Sequence, residues 1–251
     1  MNYFVGSLNG QYEKYEKVKS IVGEYDTLYI LGDVLDGENP AESVKIITDL
    51  MNQTNIHLIL GEHEIAHFYF YYACMQDDRT NIEIWNSYLD TLEPSPHPLV
   101  SYLETIGNTK NMIFSFLQMQ PVTKLIKIGK MYFYLTHGFP VPPSDNINTF
   151  NLDVSSSQIL EGEFISHIKA DMSLIPDDPE QMKEYDEMMK SIRGDNTLVV
   201  CSSQPVEDFG FDFYTEGVVN KNGVILVGSN MDSERIPILA IDSEGYNYSY
   251  L

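Results

Sequence analysis

Apolar and polar positions along the first sixty residues switch repeatedly between strand and helix rhythm. Residues 2–6, 27–31 and 56–60 are short apolar runs rich in aliphatic and aromatic side chains, the pattern of buried strands. Between them, Tyr12 to Val22 and Ala41 to Met51 read as crossover helices. The chain therefore opens as βαβαβ, which predicts an α/β fold with a parallel sheet at its start. From about Ile65 to Phe116 the strand signal stops. Phe68, Tyr69, Tyr71, Tyr72 and Trp85 recur at helical spacing, so a helical insert is predicted over about residues 65–118, with Pro94-Ser95-Pro96-His97-Pro98 as a proline-punctuated loop. Strands resume at Pro121 to Ile128 and Met131 to Leu135 around a tight Gly129-Lys130 turn. A second, polar and acidic insert covers about residues 142–194, with a helix predicted from Pro179 to Arg193 because proline suits a first helical turn behind an aspartate. The pattern then returns to β at Thr197 to Cys201, Phe211 to Val219, Gly223 to Val227 and Ile236 to Ile241, with Asn222-Gly223 as a hairpin turn.

Two of the early strands end in the same way. The run at 27–31 leads into Gly32-Asp33-Val34-Leu35-Asp36, and the run at 56–60 leads into Gly61-Glu62-His63-Glu64. Open α/β sheets place their chemistry in this position, at the carboxyl ends of strands. His137 follows a third strand and precedes Gly138, which makes it a further candidate.

These segments resemble the sequence blocks of the calcineurin-like metallophosphoesterases, most closely the serine/threonine phosphoprotein phosphatase branch. The blocks read Gly6-Ser7-Leu8-Asn9-Gly10, Gly32-Asp33-Val34-Leu35-Asp36-Gly37, Gly61-Glu62-His63-Glu64, Thr136-His137-Gly138 and Val200-Cys201-Ser202-Ser203-Gln204-Pro205-Val206. Their order and spacing across the chain make the resemblance specific. It implies a calcineurin-like sandwich of two mixed sheets flanked by helices in four layers, formed by the whole chain as one domain, with the insert at 65–118 as a cap-like element.

The resemblance also implies site roles. One metal of a two-metal centre would fall to the positions of Ser7, Asn9 and Asp33, and the other to Asp33, Glu62, His137 and Ser203. His63 would stand as a general acid, with Asp36 orienting it. Ser7, Asn9 and Ser203 are weak or lost ligand positions, since hydroxyl and amide groups replace stronger donors. Gly37 takes the place of an arginine that would grip phosphate. Gly228-Ser229-Asn230 departs from the family's Ile-Asp-Thr-Gly. Two-ion hydrolysis needs ions roughly 3.5–4 Å apart that clamp the substrate and activate a hydroxide. The surviving donors Asp33, Glu62 and His137 suit one divalent ion, Mn²⁺, Fe²⁺, Zn²⁺ or Mg²⁺, or none.

Charge and composition narrow the partners. With 37 Asp and Glu against 15 Lys and Arg, the formal net charge is −22, which argues against nucleic-acid binding because that affinity rests on cations meeting phosphates. No apolar run reaches the ~18 residues of a membrane span, and no secretory leader precedes the first strand, so a cytoplasmic protein without a membrane is expected. Cys74 and Cys201 read as small buried hydrophobes, and the 17 tyrosines and 12 phenylalanines as core filler. His57, His67, His97 and His167 match no block and read as structural or surface residues. Two readings of function stand side by side. One is a degenerate phosphoesterase kept for binding or regulation, with an unknown phosphoester or protein ligand. The other is a phosphoesterase working with one ion on Asp33, Glu62 and His137.

Overall fold

The computed structural model describes residues 1–36, 38–93, 95–138, 150–151, 196–202, 217–221, 223–228 and 234–251. The βαβαβ start is present as β1 (Asn2–Val5), α1 (Tyr12–Ser20), β2 (Thr27–Leu31), α2 (Pro40–Leu50) and β3 (Ile56–Ile59). Four helices follow, α3 (Glu62–Gln76), α4 (Arg79–Leu92), α5 (Pro98–Thr105) and α6 (Asn108–Met119). They fill the region where the strand signal lapses. The rest is β: β4 (Pro121–Ile128), β5 (Met131–Thr136), β6 (Phe150–Asn151), β7 (Thr197–Cys201), β8 (Val218–Lys221), β9 (Val224–Val227), β10 (Pro237–Ile241) and β11 (Tyr246–Tyr250).

Two mixed sheets result, one ordered β11-β10-β1-β2-β3 and the other β6-β4-β5-β7-β9-β8. β1, β2 and β3 run parallel, as do β5, β7 and β9. Alternate residues of the first sheet serve two cores, and this explains why its strands read as continuous apolar runs. Val5, Leu28, Ile30 and Leu58 join a core with the helices, where Trp85, Leu89, Ile113 and Leu117 are buried. Phe4, Tyr29, Leu31 and Ile59 point the other way, into a core shared with Phe133, Leu135, Val200, Ile225 and Val227 of the second sheet. The fold is thus an α/β sandwich of two mixed sheets flanked by helices.

Local chemistry explains the element ends. Asp78 caps α4 through Asn81 N at 3.2 Å, and Pro40 and Pro98 open α2 and α5, where a missing N–H costs nothing. α3 buries Glu64, Ile65, Ala66, His67, Phe68 and Tyr69 in succession, and it packs against α4 and α6.

Several expectations need correction. Cys74 is exposed on α3, and Cys201 alone is buried. β11 is a strand that the sequence pattern conceals, since Tyr246-Asn247-Tyr248-Ser249-Tyr250 lies at a sheet edge with Tyr246 and Tyr248 exposed. The helix expected from Pro179 to Arg193, most of the insert at 142–194, the strand expected from residue 211 to 216 and any fourth layer built from them lie outside the described residues. Among the described residues no helix is long and apolar enough to cross a membrane.

Candidate metal centre

The carboxyl ends of β2, β3, β5 and β7 meet at one place between the sheets. His137 follows β5 and reaches across to β2, its Nδ1 donating to the Leu31 carbonyl at 2.6 Å, while Ser202 N donates to the His137 carbonyl at 2.9 Å. Backbone conformation puts Asp33 there: Gly32 has φ +86 and Asp33 φ +52, so the chain reverses as soon as β2 ends. Only glycine fits at two close approaches around Asp33 and His137. A Cβ on Gly32 would lie 2.3 Å from His137 Nδ1, and one on Gly61 would lie 2.2 Å from Asp33 Oδ1.

One buried carboxylate organises both turns. Glu64 Oε1 accepts the Val34 and Leu35 amides at 2.7 Å each, and Oε2 accepts those of Asp33 at 2.9 Å and Gly61 at 2.8 Å. Glu64 is also the third residue of α3, where an acidic side chain complements the helix terminus. Its bonds lock the β2 turn against the start of α3, fixing Asp33 beside Glu62 and His63.

Asp33, Glu62 and His63 each offer a ligand atom, and these atoms lie within 4.8 Å of one another. Asp33 Oδ1 also accepts the His63 amide at 3.3 Å, and Oδ2 lies 3.0 Å from His137 Nε2 in an ion-pair contact. Burial opposes both charges of that pair, yet the histidines beside Asp33 hold its carboxyl well below the usual range, and Asp33 in turn raises His137. Glu62 Oε2 accepts from the Tyr88 hydroxyl at 3.2 Å, so α4 reaches the cluster from the insert.

The remaining expected positions are arranged differently. Asp36 is buried, and its Oδ1 accepts the Glu38 amide at 2.6 Å. His63 Nδ1 is buried without a hydrogen-bond partner. Burial raises the Asp36 carboxyl. Ser7 Oγ donates to the Ser202 carbonyl at 3.2 Å. Asn9, buried at φ +46, donates its backbone N–H to the Asp33 carbonyl at 2.8 Å. Both residues thus tie the β1 turn to its neighbours. Ser202 Oγ is buried without a partner. Ser203 and Gly37 lie outside the described residues. Sequence reading gave Glu64 and Tyr88 no role. The third position of a helix opening at Gly61 was a usable signal for Glu64; Tyr88, 26 residues from Glu62, left none.

The donors fit one divalent ion. Two carboxylates and an imidazole converge, with a second imidazole on the far side of Asp33, and this set suits a hard or borderline cation. The calcineurin-like phosphoesterase family model matches residues 4–227, and the chain belongs to that family. No curated protein matches it. One similar solved structure is a putative 5'-nucleotidase from Staphylococcus aureus in complex with alpha-ketoglutarate, at 11% identity and a TM-score of 0.34. The match covers 100% of this chain and 52% of that one, so the chain spans about half that protein's length, a likeness too low to bear on the site.

Proposed function

We propose that this chain holds one divalent cation through Asp33 and Glu62, with His63 or His137 as the imidazole donor, and that it binds a phosphate-bearing ligand there with strongly impaired hydrolysis. The convergence of Asp33, Glu62 and His63 within 4.8 Å carries this reading. A second ion finds poor donors, because the Ser7 and Asn9 side chains are neutral and the Ser7 hydroxyl already donates to the Ser202 carbonyl. When bound, the cation supplies positive charge and Lewis acidity toward phosphate oxygens. The chain's own residues do the rest. Glu64 keeps Asp33 in place, Tyr88 holds Glu62, and His137 balances Asp33 from the Leu31 side.

Impaired turnover is favoured by the state of His63. A general acid needs a free, oriented imidazole, and here that side chain lies within the donor cluster. A second reading, a one-ion phosphoesterase, is favoured by the 3.0 Å contact of His137 with Asp33. If His137 serves as the imidazole ligand, His63 is released to protonate a leaving oxygen. Calorimetry with inorganic phosphate and hydrolysis of p-nitrophenyl phosphate, each with and without Mn²⁺, separate the two. Manganese-dependent phosphate binding with turnover near background is expected, and rapid turnover abolished by both Asp33→Ala and His63→Asn would install the second reading instead.

A further inference from the structure

His67 and His97, which sequence alone assigns to structure or surface, meet around a buried carboxylate in the helical insert. His67 lies in α3, one turn beyond His63. Glu93 follows the last residue of α4 and His97 precedes the first of α5, so the proline-punctuated loop brings these two together. Glu93 Oε1 lies 3.6 Å from His67 Nε2 and 3.5 Å from His97 Nδ1. On the other side of His97, Nε2 lies 3.5 Å from Asp90 Oδ1. The side chains of His67, Glu93 and His97 are 1%, 3% and 7% exposed.

Both nitrogens of each imidazole and both Glu93 oxygens are buried without a hydrogen-bond partner. Native interiors pair nearly all such atoms, so six in one place point to a missing occupant. The spacings are too long for good hydrogen bonds between imidazole and carboxylate. They match neighbouring ligands on a tetrahedral ion instead: with metal–ligand bonds of ~2.0–2.2 Å, adjacent donor atoms stand roughly 3.3–3.6 Å apart. A carboxylate behind the second nitrogen of a ligating histidine is the usual outer support of such a site, and Asp90 stands there for His97.

We propose that His67, Glu93 and His97 form a second divalent-metal site, suited by its two nitrogens and one oxygen to a borderline ion such as Zn²⁺, with Asp90 positioning His97. The ion sits beside Glu93 Oε1 and draws the two imidazoles toward it. A cavity of about 30 Å³, lined by His67, Tyr71, Cys74, Lys110 and Phe114 among others, lies against the His67 side of the cluster.

The test uses the full chain stripped with chelator, Co²⁺ titration followed by visible absorption, and Zn²⁺ calorimetry. The wild type is expected to develop the intense visible bands of tetrahedral cobalt, Glu93→Gln to lose them, and Asp90→Asn to bind ~10–100-fold more weakly. Asp33→Ala should leave the bands intact while removing the ion at Asp33, so failure of one site is distinguished from failure of the other. Should Glu93→Gln not fold, Asp90→Asn decides, because Asp90 is 46% exposed and its amide is tolerated. Absence of tetrahedral bands in the wild type, indifference of cobalt and zinc binding to Asp90→Asn, or loss of the bands in Asp33→Ala would each overturn the proposal, leaving buried water as the occupant.

Discussion

Glu64→Gln is the most searching single substitution, because it keeps size and shape while changing only the acceptor count. The carboxylate takes four backbone amides at 2.7–2.9 Å, two on each oxygen. Burial and the charge of Asp33 raise this carboxyl, while the amides pull it down. With two N–H groups facing each oxygen there is no room for an acid proton, so the group is ionised. A glutamine keeps one oxygen for two of the amides and turns an NH₂ against the other two. Two buried N–H groups left unpaired at ~1–3 kcal/mol each give a loss of about 2–6 kcal/mol. At ~2–4 °C per kcal/mol for a chain of this size, melting should fall by about 4–24 °C. Differential scanning calorimetry in chelator measures the drop, and Mn²⁺ calorimetry should show weaker binding because Asp33 is no longer fixed. A Glu64→Gln protein that melts within about 2 °C of wild type and binds Mn²⁺ unchanged would refute both the ionised state and the organising role.

Three further outcomes are expected. In chelator, Asp33 is lowered from 3.8 to about 2 and His137 raised from 6.5 to about 9, so folding favours both charges. Their contribution is complete between about pH 4 and 6.5, fading as pH rises through 9 and as it falls through 2; urea midpoints against pH should show this, and His137→Gln should remove the loss between about pH 6.5 and 9. Gly32→Ala, with φ +86 and a Cβ 2.3 Å from His137 Nδ1, should cost about 2–4 kcal/mol in urea unfolding, and a loss under 1 kcal/mol would contradict the packing of this turn. Tyr88→Phe should weaken the Asp33-centred ion ~10–100-fold in Mn²⁺ calorimetry, with at most ~1.5 kcal/mol lost in stability.

The first sheet was readable because each of its parallel strands is buried on both faces and ends in glycine, which makes an uninterrupted apolar run with an abrupt stop. Asp33, Glu62 and His137 were likewise visible at strand ends. β11 was hidden because an edge strand of exposed tyrosines has no apolar face to display. The Tyr88 contact with Glu62 and the grouping of His67, Glu93 and His97 depend on how α3, α4 and α5 pack. Helical periodicity indicates that a face is buried but leaves open which neighbour it meets. Asp36 illustrates the remaining limit: its position beside the site was legible, whereas its hydrogen bond from the Glu38 amide depends on the fold of its own turn.

One ion at Asp33 is the central claim, and electron paramagnetic resonance of the manganese-loaded protein tests it most directly. An isolated Mn²⁺ gives an uncoupled six-line spectrum, whereas two ions at the ~3.5–4 Å spacing of a two-metal site couple magnetically. In the Glu93→Gln protein, which lacks the second site, a six-line signal from one bound ion per chain that a further Asp33→Ala abolishes is the predicted result. In that background a coupled spectrum, or a bound-manganese signal unaffected by Asp33→Ala, would contradict it.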